Sequence, residues 1–376
     1  MKFLCSIILT ITIVHFSFSQ SIISVSLNKE AEHAISSGLQ WLEKNQENDG
    51  SWGHYPAITA LSVLSFLKSP QHFDENNSIA VEKGIKFLLS VQKQDGGFYV
   101  DDLAGYNTAI CLLALVATNN PEYTTNIQKA RDFLLSLQWN EDKGYEKSNV
   151  YYGGIGYGDK EKPDLSNLQW AIEALKESEK FRKVSESTGK QKEFSGNTKK
   201  DVQIASKELF WDNAILFLQR CQNLKSSNDQ SWSGDDGGFI YNPSESKAGD
   251  YTSYGSMTYA GMKSMIYANV SKDDKRVKAA FQWVQSHFTF DDNPGLGKQG
   301  LFYYYHTMAK ALDTFGEETI IDQEGNKHQW RKEFIEKLLS LQNGDGYWVN
   351  ENNRWWENQK VLVTAYSIQA IEQSIK

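Results

Sequence analysis

The spacing of apolar residues is most regular over Val81–Ala117. Val81, Ile85, Leu88 and Leu89 fall on one stripe of a 3.6-residue period, which predicts an amphipathic helix. Asp95-Gly96-Gly97 ends it, since glycine reaches left-handed backbone angles at little steric cost. Thr108–Ala117 is then apolar on nearly every side, which predicts a helix with no wet face. An outer amphipathic helix followed by a buried inner one cannot cover its own surface. Such a unit needs neighbours.

The chain supplies them. An aromatic–x4–Gln–x–x–Asp-Gly–x–aromatic pattern recurs as Trp41/Gln46/Asp49/Gly50/Trp52 and Phe87/Gln92/Asp95/Gly96/Phe98. It continues as Phe133/Gln138 with a stretched turn Asp142-Lys143-Gly144-Tyr145, and as Phe217/Gln222 with a long insertion before Asp236-Gly237-Gly238-Phe239. A fifth, degenerate copy has Trp283 and then Phe288 in place of Gln, and the sixth is Gln342/Asp345/Gly346/Trp348. Gln46, Gln92 and Gln138 are 46 residues apart, and the later spacings are longer. Each turn leads into an apolar segment with a Thr near its start (Thr59, Thr108, Thr258, Thr307, Thr364); Leu168 takes that place in the third. Repeats of this length build a closed ring or a solenoid. Apolar inner helices wrapped by amphipathic outer ones predict an all-α fold, an α/α toroid of about six helical hairpins forming one domain over 20–376. The segment 178–207 is charged and poor in aliphatic residues, and reads as an exposed insertion between the third and fourth units.

Composition changes the picture in three places. The net charge of −8 argues against a nucleic-acid partner, which would call for a basic stripe. The aromatic fraction is 13%, with 11 Trp and 18 Tyr, enough to line a cavity for flat or apolar ligands. Residues 1–19 carry a short basic start, an apolar run and small residues, and resemble a secretory signal peptide cleaved before Gln20. The expected mature protein is exported, periplasmic or secreted, with no integral membrane span. Cys111 and Cys221 fall in helical segments and read as buried thiols rather than a disulfide.

The Gln–x–x–Asp-Gly–x–aromatic turns resemble the QW-type repeats of the squalene cyclase and prenyltransferase superfamily over about residues 31–375. Four stretches also resemble an exported bacterial branch of terpene-cyclase-like repeat proteins: Tyr151–Leu175, Tyr251–Met265, Gln299–Leu312 and Arg354–Glu357. The resemblance implies a central cavity at the inner-helix entrances. The residues before each Thr or its equivalent are Ile58, Asn107, Asn167, Met257, His306 and Val363, a mixed polar and apolar set suited to an amphipathic pocket.

Triterpene cyclases of this superfamily protonate an alkene with an Asp-x-Asp-Asp motif, which this chain lacks. Asp164-Leu165-Ser166-Asn167 is its nearest positional match, with Ser166 where the proton donor would be. Asp164 reads either as an acid or base or as the N-cap of the third inner helix. His306, preceded by Tyr303, Tyr304 and Tyr305, reads either as an acid–base pair with Tyr304 or as a hydrogen-bonded lining histidine. Asn107, Tyr152, Ser166, Asn167, Asp250, Tyr254, Trp355 and Trp356 are the candidate ligand-binding residues. No zinc-type Asp/Cys/His set, thioester string, Gly-x-Ser-x-Gly elbow or EF-hand loop is present, so neither metal nor cofactor is expected. The expected partner is a small apolar or prenyl-type ligand, with isomerase or lyase chemistry if the protein is an enzyme. The alternatives are a polysaccharide lyase, for which only Arg354 offers a well-placed cation, and a non-enzymatic periplasmic binding protein.

Overall fold

The computed structural model of the protein describes residues 23–181 and 199–376. The expected leader and most of the charged segment lie outside these residues. Of that segment, Ser178–Phe181 forms a 3-10 turn, and residues from 199 onward belong to a helix.

Twelve α-helices alternate between two layers among the described residues. The outer ones are α1 (Val25–Lys44), α3 (Ile79–Val91), α5 (Thr124–Ser136), α7 (Lys199–Arg220), α9 (Lys275–Ser286) and α11 (Trp330–Leu341). The inner ones are α2 (Pro56–Leu67), α4 (Ala104–Ala117), α6 (Leu165–Glu177), α8 (Gly255–Tyr267), α10 (Leu301–Phe315) and α12 (Lys360–Ser374). Each inner helix packs on the next, and α12 packs on α2, so the ring closes. Helix α3 buries Val81, Ile85 and Leu88 of the predicted stripe, with Ala80 and Gly84 beside them, and leaves Leu89 half-buried. Every residue of α2 except Leu67 is buried. An antiparallel hairpin, Thr319–Ile321 with Lys327–Gln329, joins α10 to α11 and pairs Ile320 with His328. No periodicity announced it.

The repeat motif has a mechanical meaning at each seam. The Gln side chain donates to the carbonyl of its own turn glycine and to a carbonyl of the next outer helix. Gln46 bonds Gly50 and Ala80, and Gln92 bonds Gly96 and Asn126. Gln138 bonds Gly153 and Phe210, and Gln222 bonds Gly237 and Arg276. Gln342 bonds Gly346 and, across the closure, Ala34 at 2.9 Å. The glycine is required because the next outer helix presses on it: a Cβ at Gly50, with φ +88°, would lie 2.4 Å from the Lys83 carbonyl oxygen. Thr59, Thr108, Thr258 and Thr364 accept the N–H of the turn aromatic at 2.8–3.0 Å. In the first and last units that aromatic is a fully buried Trp, and Trp52 and Trp348 each donate Nε1–H to the preceding outer helix at 2.8 Å. Burying roughly 150–250 Å² of ring at ~25 cal/mol per Å² stabilises by about 4–6 kcal/mol per Trp.

The third unit corrects the sequence reading. Gln138 bonds Gly153, not the Asp142-Lys143-Gly144 turn, so Gly153-Gly154-Ile155 closes this seam after a loop. A Cβ at Gly153 would lie 1.9 Å from the Asn213 carbonyl oxygen, whereas Gly144 faces open space.

Candidate functional site

The amino-terminal ends of the inner helices converge on the ring axis. Helices need partners for their first N–H groups, yet no side-chain cap of their own serves α2, α4, α8, α10 or α12. For three of these helices the following repeat supplies a side chain instead. Asn107 Oδ1 accepts from Ala57 N at 3.1 Å, Asn293 Oδ1 from Ser256 N at 2.9 Å, and Glu357 Oε1 from Tyr303 N at 2.7 Å. Only α6 is capped from within among the inner helices: Asp164 Oδ1 accepts from Asn167 N at 2.8 Å, the N-cap role read from the sequence.

Between these ends lies a cavity of about 250 Å³. Seven tyrosines line it: Tyr55, Tyr106, Tyr157, Tyr241, Tyr254, Tyr303 and Tyr366. The wall is amphipathic. Its aliphatic and indole surface comes mostly from units one, two and six, as Ala57, Ile58, Leu103, Leu362 and the Trp355-Trp356 pair, and the same units bring Tyr55, Tyr106, Asn107, Glu357 and Tyr366; units three and four contribute Tyr157, Ser166, Tyr241, Lys247, Tyr254, Ser256 and Met257. Burial pushes the phenols of Tyr157, Tyr241, Tyr254, Tyr303 and Tyr366 upward, so they are neutral hydroxyls at ordinary pH. Tyr303 Oη is 3.1 Å from Ser166 Oγ and accepts from Gln169 Nε2 at 3.3 Å, and Tyr106 and Tyr366 hydroxyls are 3.1 Å apart. The Lys247 ammonium lies 4.3 Å from the centre of the Tyr241 ring and is paired with Glu245.

Asp164 is buried behind this wall, bonded to Asn167 Nδ2 at 2.7 Å and to the Tyr241 hydroxyl. Burial raises its carboxyl to about 6; the Asn167 and Tyr241 hydrogen bonds and the Lys247 charge oppose that rise. Tyr241 is in turn bonded to Tyr157, so a chain of hydrogen bonds leads from Asp164 to the cavity surface. Glu357, in the wall, is also raised to about 6 by burial, against the pull of Asn350 and the α10 amides.

The predicted residues do not share one pocket. Asn107, Ser166, Tyr254, Trp355 and Trp356 line the cavity. Tyr152 ties its loop to Glu141 and Asn213, at 2.7 and 3.1 Å, and Asp250 lies on an exposed loop. Asn167 and Asp164 sit one layer back. Tyr304 points outward and donates to Thr289 O at 2.7 Å. His306 lies beneath the floor, between Trp170 and Tyr366 with ring centres 5.2 and 5.1 Å away. The reason is register: Thr59 and Thr258 fall in the first turn of α2 and α8, whereas Thr307 falls in the second turn of α10, carrying His306 deeper. Burial and the nearby Lys310 charge hold His306 well below the usual imidazole range, so it is neutral and poorly suited to donate a proton.

Sequence reasoning passed over Tyr106, Tyr241, Tyr366 and Lys247, and named Tyr303 only as a neighbour of His306. It also passed over a buried cluster under the floor, where Glu173 of α6 pairs with Lys263 of α8 and Lys310 of α10. Burial alone would raise the Glu173 carboxyl; the two ammoniums outweigh it and hold the group well below the carboxylate range. Tyrosines within otherwise apolar inner helices were the available signal for the cavity. Among the described residues, no three His, Cys, Asp or Glu side chains converge as metal ligands.

A closed double ring of helices with a cavity at the inner-helix entrances defines the α/α toroid of the terpene cyclases. Residues 55–203 match the squalene-hopene cyclase C-terminal domain family. A squalene–hopene cyclase of Zymomonas mobilis is 26% identical over 144 residues, 32% of this chain and 20% of the relative. A terpene cyclase/mutase of Nectria sp is 28% identical over 167 residues, 40% of this chain and 22% of the relative. The chain thus spans about a fifth of the length of the curated relatives it matches. A type II terpene cyclase from Scytonema, solved with the product merosterolic acid A, superimposes with a TM-score of 0.54 at 13% identity over 94% of this chain and 99% of that one. The same cyclase with geranylgeranyl dihydroxybenzoate as substrate gives 0.55 at 12% identity over 94% and 99%. The chain is similar to the squalene cyclase and prenyltransferase superfamily, as its repeat motif implied. At these identities the superpositions establish the fold and leave the chemistry to the site.

Proposed function

We propose that the protein binds an isoprenoid-type ligand in the central cavity, with its apolar chain against units one, two and six and its polar end against the hydroxyls of units three and four. The observation that carries this reading is the amphipathic wall: aliphatic and indole surface, mostly from units one, two and six, in one cavity with a cluster of neutral tyrosine and serine hydroxyls. A ligand bearing one hydroxyl, carbonyl or acid group on a branched hydrocarbon satisfies both halves without stranding a buried polar group. The volume lies just below the roughly 300–1,000 Å³ usual for small-molecule sites, which favours a short isoprenoid over a triterpene. The neighbouring solved cyclase with a geranylgeranyl substrate supports the ligand class. Alkene protonation by a strong acid is not part of the proposal, because Ser166 and Asn167 stand where the cyclase motif has carboxylic acids.

Trp355 and Trp356, half exposed at the mouth, give the readout. Titration of purified protein with farnesol should quench their fluorescence to saturation at one equivalent, and an acidic oligosaccharide should not. Saturable binding of the oligosaccharide, with none of farnesol, would favour the glycan-active reading and overturn this one.

A further inference from the structure

A second hollow, about 290 Å³, lies over the seam between α2 and α12. Trp52, Gly53, Gln359 and Val361 wall it on the outside. Its inner wall is shared: Tyr55, Ile58 and Trp356 border both this hollow and the central cavity. The Tyr55 and Trp356 rings stand 4.8 Å apart, tilted by 60°, so the division is one side chain thick.

That division is weakly held. Tyr55 and Trp356 are 41% and 45% exposed, and no side-chain hydrogen bond fixes the Trp356 indole among the described residues. Trp355 and Trp356 both have left-handed backbone, with φ of 54° and 64°. Such angles cost residues with a Cβ roughly 1–3 kcal/mol each and persist only where the surroundings impose them. Here the imposing contact is Glu357 next door, whose carboxylate is fixed by Tyr303 N at 2.7 Å, Asn350 Nδ2 at 2.6 Å and Phe302 N at 3.2 Å. The turn is anchored at Glu357, while the indole it carries is held by packing on the Tyr55 ring rather than by a hydrogen bond.

We infer that Tyr55 and Trp356 set the length of chain the protein accepts, and that the hollow over the α2–α12 seam takes the far end of a longer isoprenoid. With the rings together, a ligand is confined to the central cavity. With the Trp356 indole turned aside, a tail lying against Ile58 runs on between Trp52 and Val361. This inference rests on the isoprenoid reading above and adds to it a specificity-determining pair and a second subsite.

The test compares dissociation constants for geraniol, farnesol and geranylgeraniol, read by displacement of one fluorescent probe from wild type, Trp356→Ala, Trp356→Phe and Tyr55→Ala. Removing the partition exposes additional apolar surface to the tail. At about 0.8 kcal/mol per buried methylene, the ratio of the geranylgeraniol to the geraniol constant should fall at least about tenfold in Trp356→Ala and Tyr55→Ala. Trp356→Phe keeps a ring in the partition and should stay near the wild-type ratio. Adding Val361→Trp to Trp356→Ala fills the second hollow and should cancel the gain, which distinguishes a tail lodged there from general loosening. If either alanine variant melts early, the other carries the comparison. Wild type that binds prenyl alcohols with a ratio unmoved by both alanine variants, or a gain that survives Val361→Trp, overturns the inference alone. Failure of every protein, wild type included, to bind any prenyl alcohol overturns the isoprenoid reading and this inference with it.

Discussion

Asp164 offers a prediction whose sign and size both follow from its surroundings. Its carboxyl stands at about 6 in the folded ring against an ordinary 3.8, because burial penalises the charged form more than Asn167 and Tyr241 stabilise it. A carboxyl whose folded value is raised contributes most to stability when protonated. That contribution is complete only below the ordinary value and is lost as pH rises through about 6. The shift is roughly two pH units, and at ~1.36 kcal/mol per unit the loss is about 3 kcal/mol. Asp164→Asn removes the titration and keeps the cap, since asparagine is as good an N-cap as aspartate. Its new amide would face Asn167, whose Oδ1 is buried without a donor. The assay is urea unfolding of both proteins at pH 4 and pH 7.5. The stability of wild type minus that of Asp164→Asn should fall by about 2.5 kcal/mol between the two pH values, the rest of the loss lying below pH 4. Glu357 drifts the same way, but it does so in both proteins and cancels. A difference that stays constant within about 0.5 kcal/mol, or that grows with pH, refutes the claim that burial dominates at Asp164.

Other perturbations test separate parts of the fold and site. Glu173→Ala strands the Lys263 and Lys310 ammoniums in the ring interior and should cost about 3–5 kcal/mol by urea unfolding; a loss under about 1 kcal/mol would mean the cluster is hydrated. Gln342→Ala removes the bonds to Ala34 and Gly346 and should cost about 1–3 kcal/mol, with α1 amides showing the largest rise in hydrogen exchange. Tyr303→Phe removes a hydroxyl bonded to Ser166 and Gln169 while keeping the ring, so farnesol should bind roughly three- to tenfold more weakly with little change in melting temperature. Unchanged farnesol affinity in that variant would remove Tyr303 from the polar half of the wall.

The ring was legible because each repeat residue has a local job. Gln46, Gly50 and Thr59 satisfy bonds within or beside their own turn, and the same three roles reappear wherever the chain makes the same turn. The third seam was misread because its glycine, Gly153, is displaced by a loop, while Gly144 imitates the pattern nearer by. The cavity was half legible. Asn107, Ser166 and Tyr254 sit at entrances that repeat counting locates. Tyr106 and Tyr366 lie inside helices and look like core until the ring closes around them. His306 misled for the opposite reason: Thr307 marks the entrance only where the helix starts three or four residues earlier, and α10 starts at Leu301. The Glu173–Lys263–Lys310 cluster joins three separate repeats, and nothing local announces such a meeting.

Phe288, standing where five other seams have a glutamine, gives the ring an uneven perimeter. The fifth seam relies on other contacts: Gln285 reaches Ile321 O at 2.9 Å, Phe288 rests on the His328 ring 5.0 Å away, and Arg331 bridges Asp313 and Glu318. His328 itself is held between Asp322 and Glu333, whose hydrogen bonds outweigh burial and raise its imidazole. The amide clasps carry no charge, whereas the contacts about His328 and Arg331 do. This part of the perimeter therefore responds to solvent: loss of the His328 proton as pH rises, or screening of the Arg331 pairs by salt, loosens the hairpin and loop that join α10 to α11.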